Sequence, residues 1–267
     1  MNSPRTAKRL GPIPLAAVAL AATWTAGFVD TVGFLLLSHI LTANMSGNTV
    51  RIGVSAIDSN GAEALRRGWP VLMFVAGLVT SAIIHEAGAR RRFLSTSAVI
   101  FALETLLLLA VDVFYLIRGV GQLAQGSSYL AAAALLAFAM GLQNATLTHV
   151  GALSVKTTHI TGTLTQFAEG VSQFYFWARD RLSFQGNSRW RRTVLLAPHQ
   201  KSFRQALLML LLWSAFIFGA ICAAAARRHF SELLLLPPAV MAFALAVIDV
   251  LHPLAASDEH QLPSRAA

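Results

Sequence analysis

The chain has 267 residues, of which 55% are hydrophobic and 12% charged, whereas an ordinary soluble domain carries about 25% charged residues. That shortage excludes a water-soluble globule and makes lipid part of the solvent. The formal charge of +9 does not point to nucleic acid: the bases stand in short clusters between apolar runs, at Arg5, Lys8 and Arg9, at Arg90, Arg91 and Arg92, and from Arg179 to Arg204, and no stretch outside those runs could build a groove.

In chain order, residues 1–13 form a basic segment expected on the cytoplasmic side. "IPLAAVALAATWTA" has the composition of a secretory signal, yet the apolar run continues through "GFLLL" without a cleavage stop, so an uncleaved first span is expected. About 20 apolar residues cross the hydrocarbon core as a helix. Six runs suit that role, near 15–38, 70–86, 97–117, 129–150, 205–226 and 233–251, while segments near 44–57 and 157–177 are less apolar and open on polar or glycine-containing clusters. "DSNGAEALRRGWP", 58–70, is predicted as a loop whose Pro70 opens the next span.

The Arg-rich stretch 180–205 is the longest polar connection, and Phe176, Trp177 and Trp190 suit the headgroup level. The single cysteine, Cys222, rules out an intramolecular disulfide and reads as a small buried hydrophobe. The tail 253–267 is polar and expected to be disordered. The whole reads as one integral membrane domain over 14–252, an all-α polytopic transmembrane helical bundle.

An internal repeat organises it. Residues 27–48 lie over 141–163, with Gly27 on Gly141 and Asp30 on Asn144, and one inserted residue brings Ser46-Gly47-Asn48 onto Thr161-Gly162-Thr163. "LAVDV" around Asp112 resembles "LAVIDV" around Asp249, and Arg90 precedes Asp112 by the same distance as Arg227 precedes Asp249. The repeats cover about 14–118 and 128–252. If the two broken segments re-enter the membrane, there are six full spans and the halves are inverted; if they cross, there are eight and the halves are parallel. The inverted version is favoured, because "TANMSGNTVRIG" holds too many polar groups for an independent span.

These breaks are the first candidate site. Hydroxyl and amide side chains satisfy the free N–H groups of a first helical turn, and within a membrane such interrupted backbone survives only where protein or water surrounds it. Broken helices at corresponding places in two halves are the best sequence pointer to a transporter's binding site. Asn44, Ser46, Gly47, Asn48 and Thr49 are therefore substrate-binding candidates, with Thr158, Thr161, Gly162, Thr163 and Thr165 opposite them; the plain alternative is small-residue helix packing.

Four ionisable groups lie inside spans: Asp30, Glu104, Asp112 and Asp249. A charge at the bilayer centre costs at least about 2.5 kcal/mol, which makes each a functional candidate by default. Asp30 ranks first because Asn144, preceded by Gln143, occupies its place in the second half; together an acid and two amides would bind a cation or a proton-donating solute. Asp112 and Asp249, near span ends, are expected to snorkel toward the interface. Glu104 is deep but has no repeat partner. His149, His159 and Glu169 stand ten residues apart, which places no two on one helix face, so no metal is expected. No Ser-His-Asp order, P-loop or dinucleotide fingerprint occurs, and neither enzyme activity nor a cofactor is expected.

"GFVDTVGFLLL" with "TANMSGNTV", followed by "FAMGLQNATLTHVG" and "TTHITGTLTQFAEG", resembles the YoaK family of bacterial integral membrane proteins, domain of unknown function 1275, from about residue 14 to 252. Its members more often carry threonine where this chain has Ser46, a conservative departure because both hydroxyls cap a helix. The resemblance implies a multi-pass protein of the bacterial inner membrane and no particular activity.

The residues favour a small-solute or ion permease with both termini cytoplasmic. The alternatives are a non-transporting membrane scaffold or assembly protein and, more remotely, a lipid-modifying enzyme. The expected partners are the lipid bilayer, a small solute, a proton or other cation, and a second copy of the chain as a homodimer.

Overall fold

The computed structural model describes residues 12–91, 93, 95–119, 126–149, 160–183, 195–229 and 233–254. Among them the chain is helical: α1 Pro12–Leu36, α2 Met45–Ile57, α3 Gly61–Arg90, α4 Thr96–Arg118, α5 Gly126–His149, α6 Ile160–Ser183, α7 Lys201–His229 and α8 Leu236–Leu251, with a 3-10 turn at Ala197–His199. Five of these, α1, α3, α4, α5 and α7, are long and apolar enough to cross a bilayer, and α8 is a shorter apolar helix.

α1 stops because Ser38 and His39 adopt left-handed backbone, with φ of 48° and 63°. The chain then folds back along the last turns of α1, where the Thr42 hydroxyl donates to the Val29 carbonyl at 3.3 Å. α2 has 13 residues, or about 20 Å at 1.5 Å per residue, too short for a core about 30 Å thick. It leads into α3, whose buried Arg67 donates to the carbonyls of His39 and Ser38, both at 2.9 Å. α3 therefore begins on the side where α1 ends, and α2 only dips into the bundle.

The start of α3 departs from expectation. Asn60 accepts from the Glu63 N–H at 3.1 Å, an N-cap with an acid at the third helical position. The predicted loop is thus the helix's first turns, and Pro70 lies inside α3 instead of opening it.

The helix directions follow from contacts. α3 and α5 run parallel: Trp69 Nε1 donates to the Leu130 carbonyl at 3.1 Å, and further along the Ser81 and Thr146 hydroxyls meet at 3.1 Å. α1 and α7 also run parallel, Ala19 clustering with Met209 and Leu212 while Trp24 and Phe28 lie against Gly219. α4 starts beside the end of α3, where His85 meets the Thr96 hydroxyl at 3.1 Å, so it runs back against α3 and against α5. The first half of α1 meets Phe101 near the start of α4 and Leu245 and Ala246 near the end of α8. α1 and α5 consequently point in opposite directions, and so do α4 and α8: the halves are inverted. Because α5 ends and α7 begins on one side, the chain between them makes no net crossing, and α6 takes the place there that α2 has in the first half.

Close crossings repeat with this symmetry. Gly27 abuts the Phe216 backbone and Gly219 that of Trp24; Gly141 abuts Phe74 and Gly77 abuts Phe138. Without a Cβ the helices approach backbone to backbone, as small-residue interfaces in membranes allow.

Asp112 and Asp249 do not snorkel; both are buried. Asp112 accepts from the Leu235 N–H at 2.9 Å, at the start of α8. Asp249 accepts from the Ala98 N–H at 2.6 Å, in the first turn of α4, and from the Leu254 N–H at 2.6 Å. Each last helix caps the other, because unsatisfied first-turn N–H groups attract a carboxylate. We expect Asp249→Ala to cost about 1–2 kcal/mol and Asp249→Asn less, since an amide oxygen still caps one N–H while the amide nitrogen faces the other. Melting in detergent tests this: equal losses for the two variants would rule out the cap.

Candidate functional site

The first broken segment closes on itself. Asp30, 4% exposed, stands beside the loop that returns from the end of α1. Its Oδ1 accepts from the Ala43 N–H at 2.7 Å and the Asn44 N–H at 3.4 Å, and its Oδ2 accepts from Asn44 Nδ2 at 2.7 Å. Asn48, also buried, pairs with one peptide: Nδ2 donates to the Leu41 carbonyl at 2.6 Å and Oδ1 accepts from the Leu41 N–H at 3.3 Å. Gly47 lies where a Cβ would strike the Leu41 side chain. Ser46 and Thr49 are exposed, and the Thr49 hydroxyl donates to the Met45 carbonyl at 3.0 Å. The polar residues that fit a ligand shell thus hold the loop in its fold-back.

The second segment differs. Gln143 is fully buried and Asn144 nearly so; Gln143 Oε1 and Nε2 and Asn144 Oδ1 have no hydrogen-bond partner among the described residues. Thr158 and His159 lie outside the described residues, as does the side chain of His149. Within the first turn of α6, Thr161 is exposed, Gly162 half-buried and Thr163 buried, while Thr165 and Glu169 are exposed. The two breaks belong to different packing groups, α2 resting on α3 and α6 on α7.

One group ranked below Asp30 on sequence stands out in space. Glu104 is 0% exposed midway along α4, and neither carboxyl oxygen has a partner among the described residues. Its depth was readable; its importance was not, because the residues facing it come from the other half. Arg67 was also passed over as a loop base, although it ties α3 to the end of α1 and pairs with Glu63 at 2.7 Å. The unpartnered buried groups among the described residues thus include one whole carboxyl, that of Glu104, and the carboxamides of Gln143 and Asn144. Such a set suits a cation or a polar solute that donates hydrogen bonds, and it repels anions.

Comparison with known proteins agrees with this architecture. The chain is 27% identical over 221 residues to UPF0700 transmembrane protein YoaK of Bacillus subtilis (strain 168), covering 83% of this chain and 88% of that one. It is 26% identical over 238 residues to UPF0700 transmembrane protein RA0705 of Rhizobium meliloti (strain 1021), covering 89% and 87%. No solved structure matches it. The profile described as "Protein of unknown function (DUF1275)" matches residues 18–248. With most of its length matched, and with transmembrane relatives, the chain belongs to the DUF1275 family.

Proposed function

We propose that the protein is a small-solute or ion secondary transporter of the bacterial inner membrane. The observation that carries this reading is the pair of segments α2 and α6, which leave from corresponding points of two oppositely directed halves, an arrangement that surrounds midplane sites in transporters. The helices group as α1, α6, α7 and as α2, α3, α4, α5, α8, each group drawn from both halves, and the groups meet along α1–α8 and more lightly along α1–α5. Rocking about that junction would expose Gln143 and Asn144 to one side and then the other. Arg90 and Arg91 at the end of α3, Arg179 and Arg181 near the end of α6, and Lys201 and Arg204 at the start of α7 fall on the side where α1 starts, which supports cytoplasmic termini under the positive-inside rule. No covalent chemistry and no resident cofactor enter this reading.

The scaffold alternative draws support from Asp30, whose carboxylate is fully used in holding its own loop. Flux decides between the two. Purified protein in liposomes, offered amino acids, sugars and inorganic cations in turn, is expected to carry at least one class saturably. Gln143→Leu and Asn144→Leu are expected to reduce that flux by about tenfold or more, as for loss of a hydrogen bond to a bound solute. Background rates for every class, from protein with an intact melting transition, would refute transport.

A further inference from the structure

Glu104 continues a stripe on α4. It shares a face with Leu108, Val111 and Tyr115, spaced by four, three and four residues, so all four project from one side of the helix. Leu108, Val111 and Tyr115 share one buried core with Tyr129, Ala132, Leu136 and Met140 of α5, and Gln143 extends the α5 stripe by the next step of three. His85 of α3 meets Thr96 at 3.1 Å, so eight residues further in Glu104 of antiparallel α4 comes level with Gly77, whose missing Cβ faces the backbone of Gly141 and Leu142 beside Gln143. Along α4 this is midway between Ala98 and Asp112, the two points tied to α8.

Four polar atoms therefore lie at one depth in the middle of the bundle, the two carboxyl oxygens of Glu104 and the carboxamide atoms of Gln143, all buried and unpartnered among the described residues. Neighbouring hydroxyls do not serve them: Thr105 donates to the Phe101 carbonyl at 2.8 Å and Thr25 to the Ala21 carbonyl at 3.1 Å. Ser97, two turns nearer the start of α4 on the same face, is also buried with an unpartnered hydroxyl. The titratable groups on the packed elements have other engagements. Asp249 of α8 caps α4, His85 of α3 meets the Thr96 hydroxyl at 3.1 Å, Asp30 of α1 holds its loop, and Tyr129 of α5 lies under Arg66. On α4 itself Asp112 caps α8, and Tyr115 stands beyond it toward the far end. No base among the described residues pairs with Glu104.

We infer that Glu104 and Gln143 form a site for one small monovalent cation, a proton or a sodium ion, which neutralises the buried carboxylate and couples to transport. The coupling role rests on the transporter reading; the site itself does not. One carboxylate balances one positive charge, and the Gln143 carbonyl supplies a second hard oxygen. A divalent ion would keep a net charge in lipid and ask for six or more oxygens.

The test uses the full-length protein with protons and sodium as probes. In the proton arm, infrared difference spectra between acidic and alkaline buffer are expected to show one buried carboxyl band that Glu104→Gln removes and Glu104→Asp retains. In the sodium arm, melting temperature is expected to rise with the logarithm of sodium concentration at fixed ionic strength, and Glu104→Gln and Gln143→Leu are expected to abolish that rise. A response in either arm identifies the ion. No Glu104-dependent response in either arm, from variants that melt cooperatively, overturns the site. Solute flux without such a response would leave the transporter standing and remove the site; such a response without any flux would keep the site and remove the transporter.

Discussion

Replacing Asp30 with alanine is expected to destabilise the protein by on the order of 3 kcal/mol, because hydrogen bonds to a charged group contribute about 1.5–3 kcal/mol each and their donors would be stranded. Three donors depend on this carboxylate: the backbone N–H groups of Ala43 and Asn44 and the side-chain amide of Asn44. With them goes the fold-back that lets α2 start inside the bundle. Asp30→Asn should fall between, since its amide keeps one acceptor but turns a donor toward one of the existing donors. Thermal melting in detergent, with limited proteolysis of 37–44, reads the effect. A wild-type melting temperature in Asp30→Ala together with lost flux would instead make Asp30 a solute ligand.

The second large effect concerns the helix crossings. A Cβ at Gly27 would run into the Phe216 carbonyl, and one at Gly141 into that of Phe74. Backbone of a packed helix cannot step aside as a flexible side chain can. Gly27→Val and Gly141→Val should therefore each cost about 1–3 kcal/mol, the usual range for overpacking, and more if the helix pair separates. Gly53 supplies the control: it is exposed within α2 with nothing near its missing Cβ, so Gly53→Ala should stabilise by about 1 kcal/mol through helix propensity. If Gly27→Val melts with the parent protein, backbone contact is not what joins α1 to α7.

Much of this was visible in the sequence because it is written locally. Apolar runs of spanning length located the long helices, and the short polar break after Leu41 marked a segment that could not cross. The alignment of Gly27 with Gly141 anticipated the symmetry, and the structure adds that both are crossing points. Other features depend on partners far along the chain. Asp112 and Asp249 look like interfacial acids until the start of a helix from the opposite half is found beside each. Asp30 was correctly linked to the polar break, but its neighbours alone could not tell a ligand from a strut. Glu104 and Gln143 belong to different repeats, so only the antiparallel register of α4 and α5 reveals that they share a depth. The start of α3 was legible and missed: Asn60 followed by Glu63 is a local capping pattern that the nearby bases and Pro70 overshadowed.

The exchange of caps between α4 and α8 bears on biosynthesis. α4 is made long before Asp249, so its opening amides have no carboxylate to receive them until α8 has been made. The earlier half therefore reaches its final form only after the later half has arrived. A product cut short before Asp249 is left with an uncapped helix start at α4.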